Sequence, residues 1–187
     1  GGALVTRYPN AGSNMRTFGA FTSAKRSLGE KEFHFGLRYS FTSFDARYFP
    51  TASLQLPFSE LQSANGALTG SIAAEIPLGA NVSSISSLSS GFRHPNIDDA
   101  AKVREKGGYV LVPNDSLNAE YLYSLDESIT WRHPSSGLSV SITGFVSLWT
   151  EIITPVNSTL DGLDSLEVDG AFSRIQRNEN SGNAIIR

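Results

Sequence analysis

The sequence predicts an all-β fold, an antiparallel meander of amphipathic strands. Three observations carry this. Apolar and polar residues alternate with period two over several stretches, the pattern of a strand with two different faces. The segments between them are dense in Gly, Ser, Asn and Pro, with 17 glycines in 187 residues. Apart from a three-residue spacing in 81–90, helical spacing is confined to a short piece of one connection, residues 91–120.

Residues 1–14 read as a loop, with Pro9-Asn10 and Gly12-Ser13 as turn signals. Residues 15–27 alternate loosely: Phe18 and Ala20 oppose Thr17 and Gly19, but Phe21 is out of phase. Residues 28–31 form a short turn. The clearest strand follows, with Phe33, Phe35, Leu37, Tyr39 and Phe41 on one face and His34, Gly36, Arg38, Ser40 and Thr42 on the other. Residues 45–66 read as a long connection, broken by Pro50, Pro57 and Asn65-Gly66, with Leu54, Leu56 and Phe58 as its apolar content. Residues 67–76 alternate again, and 77–80 form a short turn.

In residues 81–90 the apolar positions Val82, Ile85 and Leu88 are three apart, a helical spacing. Six serines and the bounding Gly79 and Gly91 favour a strand. The connection 91–120 is long and polar, with a helix expected over 97–106. Asn96 is its N-cap, and Asp98 and Asp99 stand in its first turn. A connection of this length with internal structure is usually functional.

In the next strand, 121–132, Tyr121, Tyr123, Leu125, Ile129 and Trp131 share a face, and Glu127 interrupts it. Residues 133–137 turn and 138–153 alternate once more. A third long polar connection is expected from 154 to about 182, and 183–187 begins a final strand, giving about seven strands in all.

Composition narrows the function. The net charge is −3 and the pI about 5.6, with no basic patch, so nucleic acid is not expected as a partner. Without cysteine there is no disulfide or thiolate metal site, and His34, His94 and His133 are scattered. No apolar run is long enough for a membrane helix, and no signal peptide opens the chain. It starts Gly1-Gly2-Ala3-Leu4 without Met and reads as an internal piece of a longer protein.

Short connections (28–31, 77–80, 133–137) alternate with long ones (45–66, 91–119, 154–182). Outer-membrane β-barrels place short turns at one rim and long loops at the other, and they use long two-faced strands. A soluble sandwich or lectin-like domain explains the alternation equally well. In a barrel, Trp131 beside a short turn suits an interfacial belt, while Trp149, on the polar face, projects inward.

The loop sequences add a resemblance. Ser90-Gly91-Phe92-Arg93-His94-Pro95-Asn96-Ile97-Asp98-Asp99, Lys102-Val103, and Val112-Pro113-Asn114-Asp115-Ser116-Leu117-Asn118-Ala119-Glu120-Tyr121 resemble the TonB-dependent outer-membrane receptors. Those carry a GFRxPN segment followed by an NPxLKPE segment. Residues 6–13, 58–70, 144–153, 164–170 and 173–176 resemble neighbouring pieces in the same order, the last two in the Bacteroidetes-type receptors, so the resemblance spans nearly the whole chain. Departures are Asp115 for the first Pro and Asn118-Ala119 for Lys-Pro. No His lies between Pro95 and Asn114, where the haem receptors of this family carry a ligand.

The resemblance implies a partial transmembrane β-barrel wall with long extracellular loops and one short helix in a loop. Residues 1–187 would be one section of the barrel domain in the cell outer membrane, with the plug and remaining strands absent. It implies active transport, energised by TonB through a plug not in this chain. The ligand would be a small iron complex such as a ferric siderophore, or cobalamin or a glycan. Outer-membrane lipid is the other partner, and no cofactor is implied. A non-transport β-domain, an adhesin or carbohydrate-binding module, is the competing reading. Strand faces that curl over a closed apolar core would favour it, whereas a continuous lipid-facing apolar band with polar residues on the concave side favours the transporter.

Arg93, His94, Asn96, Asp98 and Lys102 are the candidate ligand contacts in the loop; the same residues also suit loop ordering and helix capping. A metal cluster of His94, Asp98 and Asp99 competes with capping acids, and no metal site is expected. Arg38, Asp126, Arg132 and Glu151 are expected to face the lumen, where they would meet a plug or stand solvated. Tyr121, Tyr123 and the 33–41 stripe are expected lipid anchors. No catalytic residue is expected, since no GxSxG elbow is present.

Overall fold

A computed structural model describes residues 8–49, 59–168 and 170–187. The elements are β1 (Ser13–Leu28), β2 (Lys31–Arg47), β3 (Glu60–Gly79), β4 (Val82–Arg93), α1 (Ile97–Ala100), β5 (Arg104–Lys106), β6 (Tyr109–Val112), β7 (Glu120–Arg132), β8 (Ser139–Asn157), β9 (Ser165–Val168) and β10 (Ala171–Ile186). They form one sheet in the order β1-β2-β3-β4-β7-β8-β10-β6-β5, with β9 also on β10. Pairing is antiparallel except for β6, which lies parallel to β10. The sheet is not closed: β1 and β5 end the pairing order.

Seven long strands, of 12 to 20 residues, make the wall: β1, β2, β3, β4, β7, β8 and β10. The short turns after β1, β3 and β7 share one end of it and the long connections share the other. Among the described residues no helix could cross a membrane, which says nothing of strands.

The register keeps one apolar face in phase across the sheet. Ala24, Phe35, Ile72, Leu88, Leu125 and Val146 form a single row over six strands. Tyr123, Leu148 and Ile185 lie above it, and Ile129 with Ile142 and Trp131 with Val140 lie below. This face is exposed: Phe35 is 44% accessible, Leu125 53% and Ile142 78%. The opposite face is polar and holds buried side chains, including Ser40, Thr42, Thr69, Ser83, Thr130 and Ser147.

A soluble sandwich shows the reverse, with alternate apolar residues buried between two sheets. Here polar groups line the inner side and apolar ones face out, the arrangement of a barrel wall in lipid. The two buried apolar clusters sit at the loop end instead of between two layers.

Several boundaries differ from the sequence reading. β1 is a full strand from Ser13, although its alternation is loose. β2 and β3 run on to Arg47 and back to Glu60, so the connection 45–66 shrinks to 48–59. The expected connection 154–182 is mostly strand, since β8 continues to Asn157 and β10 begins at Ala171, well before 183. In each case backbone pairing continues beyond the apolar band, where no lipid-facing face is needed and the alternation signal disappears. Residues 81–90 do form a strand, β4. Residues 1–7, 50–58 and 169 lie outside the described residues, including Pro50, Leu54, Leu56, Pro57 and Phe58.

The helix expected over 97–106 stops at Ala100. Its second half is instead strand β5, turning into β6 through Gly107 (φ 62°) and Gly108 (φ 80°). Positive φ at both central residues is the two-residue hairpin turn that matches strand twist, and glycine adopts it without a Cβ clash. Replacing both glycines by valine should cost the hairpin about 1–2 kcal/mol per residue. Faster amide exchange at Val110 and Val112, with the wall strands unaffected, is the expected readout.

Candidate functional site at the loop end of the sheet

The connection 94–119 leaves β4 at Arg93 and re-enters at Glu120, and these two residues face each other in register. Arg93 Nε and Nη2 donate to the two Glu120 carboxylate oxygens at 2.8 and 3.0 Å, and Nη1 donates to Asp99 at 2.6 Å. The fork geometry suits a guanidinium and would be lost with lysine. Glu120 is the buried partner, its side chain 3% exposed against 45% for Arg93. It also accepts the Ile153 backbone N–H at 2.7 Å and a hydrogen bond from Trp149. One carboxylate thus joins β4, β7 and β8. Trp149 shares the inner face with it.

Asn96 caps α1. Its Oδ1 accepts the Asp99 N–H at 3.0 Å, and Asp99 returns a carboxylate to the Asn96 N–H at 3.0 Å. This reciprocal capping box satisfies donors a four-residue helix could not satisfy itself. Lys102 Nζ lies 2.7 Å from Asp98, which also accepts from the Tyr8 hydroxyl at 3.0 Å. Lys102 stands 5.8 Å from the Tyr8 ring centroid. His94 packs edge-on to Phe92 at 4.7 Å. Both its ring nitrogens are buried without a hydrogen-bond partner among the described residues. Burial holds this imidazole below its ordinary range, so it is neutral at pH 7.

The loop folds inward over the polar face. Ala100, Ala101, Val103 and Leu117 pack on Phe44, Ala46, Tyr48 and Leu61 at the rim of β2 and β3. The Tyr48 hydroxyl donates to the Ala101 carbonyl, and burial pushes its pKa up, so it remains a donor. The return limb is pinned to β10 by asparagines. Asn178 Nδ2 donates to the Asp99 carbonyl at 2.7 Å, and Asn114 Nδ2 donates to the Asn178 carbonyl at 2.7 Å. Asn180 pairs with the Asn118 backbone and donates to the Glu151 carbonyl at 2.7 Å. Hairpin β5–β6 docks on β10 through Val110, Val112 and Ile175.

The structure therefore brings Arg93, Asn96, Asp98 and Lys102 together at one rim, each already bonded within the protein, and leaves His94 packed beneath. Arg38, Asp126 and Arg132 stand elsewhere on the polar face. Arg38 donates to Ser40 at 2.9 Å; Asp126 accepts from Ser124 at 3.0 Å; Arg132 donates to Ser83 at 3.1 Å and approaches Glu75 at 3.8 Å. Glu151 sits at positive φ, 57°, where the β8–β10 register is irregular. Among the described residues no three His, Cys, Asp or Glu side chains gather as a metal site.

Sequence reasoning missed Glu120, Tyr48, Asn178 and Asn180. Glu120 could have been found from hairpin pairing, since it and Arg93 are the two residues flanking the loop. The asparagines carry no local signal, because their partners are 29 to 79 residues away.

The sequence matches no family model and no curated protein. Among solved structures, the crystal structure of the siderophore receptor PirA from Pseudomonas aeruginosa is similar, with a TM-score of 0.56 at 16% identity. The alignment covers 92% of this chain and 38% of that chain, so this chain spans well under half of that receptor's length. The likeness establishes the fold, a section of a β-barrel wall.

Removing the shared carboxylate should loosen the whole rim. Glu120→Ala leaves the Ile153 N–H and two of the three Arg93 bonds unpaired, with an expected cost of about 1–3 kcal/mol. Limited proteolysis across 94–118 and amide exchange at Ile153 would register it, and Arg93→Lys should fall between the two. Protonating His94 should also open the loop. Its folded pKa lies below the unfolded value of 6.5, so its stability contribution is full above that pH and is lost as the pH falls through the folded pKa. Loop amide protection should decline on acidification below pH 6.5, and His94→Phe should flatten that dependence.

Proposed function

We propose that the chain is a wall section of an outer-membrane active-transport receptor that takes up a scarce ligand, a ferric siderophore or similar iron complex. The observation that carries this is the inverted sheet: a continuous apolar band faces out while polar side chains and an inward-folded loop line the other side. A wall of this kind separates lipid from an aqueous passage, and a rigid polar rim at its mouth selects what enters.

The siderophore class is supported by the named ligand of the similar receptor and by the GFRxPN-like sequence at Gly91–Asn96. The Bacteroidetes-type subclass is supported by residues 164–170 and 173–176 alone. Arg93, His94 and Lys102 order the rim in this reading, while Asn96 and Asp98 offer exposed polar atoms to a ligand. Arg38, Asp126 and Arg132 line the lumen and would meet a plug domain, through which TonB supplies the energy.

The gene that encodes this chain should be deleted and complemented in its own host. Under iron limitation the deletion should abolish growth on one ferric siderophore and leave growth on ferrous iron intact. Complementation should succeed with the wild-type gene and fail with Ile142→Arg, which places a cation on the apolar band at about 2–4 kcal/mol. Unchanged growth on every siderophore, with growth lost on a glycan or cobalamin, would move the ligand to that class.

A further inference from the structure

An acid stands within the apolar band. Glu127 stands on the outward face of β7, four residues from Tyr123 and four from Trp131. At about 3.3 Å per residue and a tilt of about 40°, it lies roughly 10 Å from either aromatic level. Ser84 and Ser86 of β4 each donate a hydroxyl to its carboxylate. Those bonds satisfy acceptor sites but leave the charge. None of the ion pairs among the described residues includes Glu127, and Arg26, on the same row, lies four strands away.

The surroundings are small. Ser86 faces Glu127 in register with Ala74 beyond it, and Gly144 faces it from β8. A Cβ placed on Gly144 would meet nothing within 4 Å. The result is a shallow notch of Ala, Ser and Gly around an anion, bordered by Ile76, Leu125, Ile129 and Val146. Small residues let another backbone approach closely within a bilayer, and an intramembrane carboxylate calls for a polar partner.

We propose that this notch is the contact site for a second membrane protein, whose spanning segment sets a lysine or arginine against Glu127. The inference rests on the barrel-wall reading above. Charge complementarity selects the partner: lipid tails carry no cation, and two-fold pairing with a second copy of this chain would set Glu127 against Glu127.

The test is photocrosslinking from the borders of the notch, Ile76 and Val146, in the full-length protein in its own outer membrane. Leu37, on the band but away from the notch, is the control. A discrete adduct with one other protein is expected at Ile76 and Val146, falling about tenfold in Glu127→Leu. A Glu127→Lys variant should regain the adduct when the partner's cation is reversed to Glu. Lipid-only adducts, a self-adduct, or an adduct indifferent to Glu127→Leu would overturn the proposal. Lipid adducts at Leu37 show that the band itself faces the bilayer; their absence would sink the barrel-wall reading instead.

Discussion

Register is the constraint on which everything else depends. Every wall strand serves two solvents at once, and its side chains alternate between them with a strict period of two. A slip of one residue between β4 and β7 would carry Leu125 and Ile129 to the polar side and Ser124, Asp126 and Thr130 to the apolar side. The pairing avoids this over six strands, as the row from Ala24 to Val146 shows. Hydroxyl pairs on the inner face hold the same register from the other side: Thr130 with Ser141 at 2.8 Å, Ser124 with Ser147 at 3.0 Å and Thr17 with Thr42 at 3.3 Å. Ser124, Ser141 and Ser147 serve as cross-strand partners of the inner wall.

The loop end depends on that register in turn. Arg93 and Glu120 meet because β4 and β7 are in phase up to their last residues, and Ile153 reaches the same carboxylate because β8 lies next to β7. Glu120 is nearly enclosed while Arg93 is half exposed, so the pair acts through geometry more than through raw charge attraction. Its value lies in converging three strand ends on one point. With the strand ends fixed, a four-residue helix can persist: the capping box satisfies its first donors, and Asn178 takes the Asp99 carbonyl. Such a helix would not form alone in water.

How much was legible follows from where a local signal exists. Strands were read wherever one face had to be apolar, as in residues 33–42 and 121–132. Their extensions past the band, such as the polar start of β10 through Arg174, Gln176, Arg177 and Asn178, carry no such pattern and read as loop. The Gly107-Gly108 hairpin was legible and was missed because acidic capping at Asn96–Asp99 suggested a longer helix; Val103, Val110 and Val112 around it favour strand. At the rim, the capping roles of Asn96 and Asp99 and the position of Arg93 came from the sequence. The asparagine contacts from β10 did not, because distant pairing is not written in any local window.

Glu127 belongs to neither set of rules, and that gives it meaning. On the inner face a carboxylate is ordinary, as Asp126 next to it shows. On the outer face an isolated acid works against the partition that places Leu125, Ile129 and Val146 there. Ser84 and Ser86 are displaced from the apolar norm together with it, and Gly144 opens the space beside it, so four positions on three strands depart in concert. A coordinated lapse, at mid-depth and in register, is what a surface shaped for a polar partner requires.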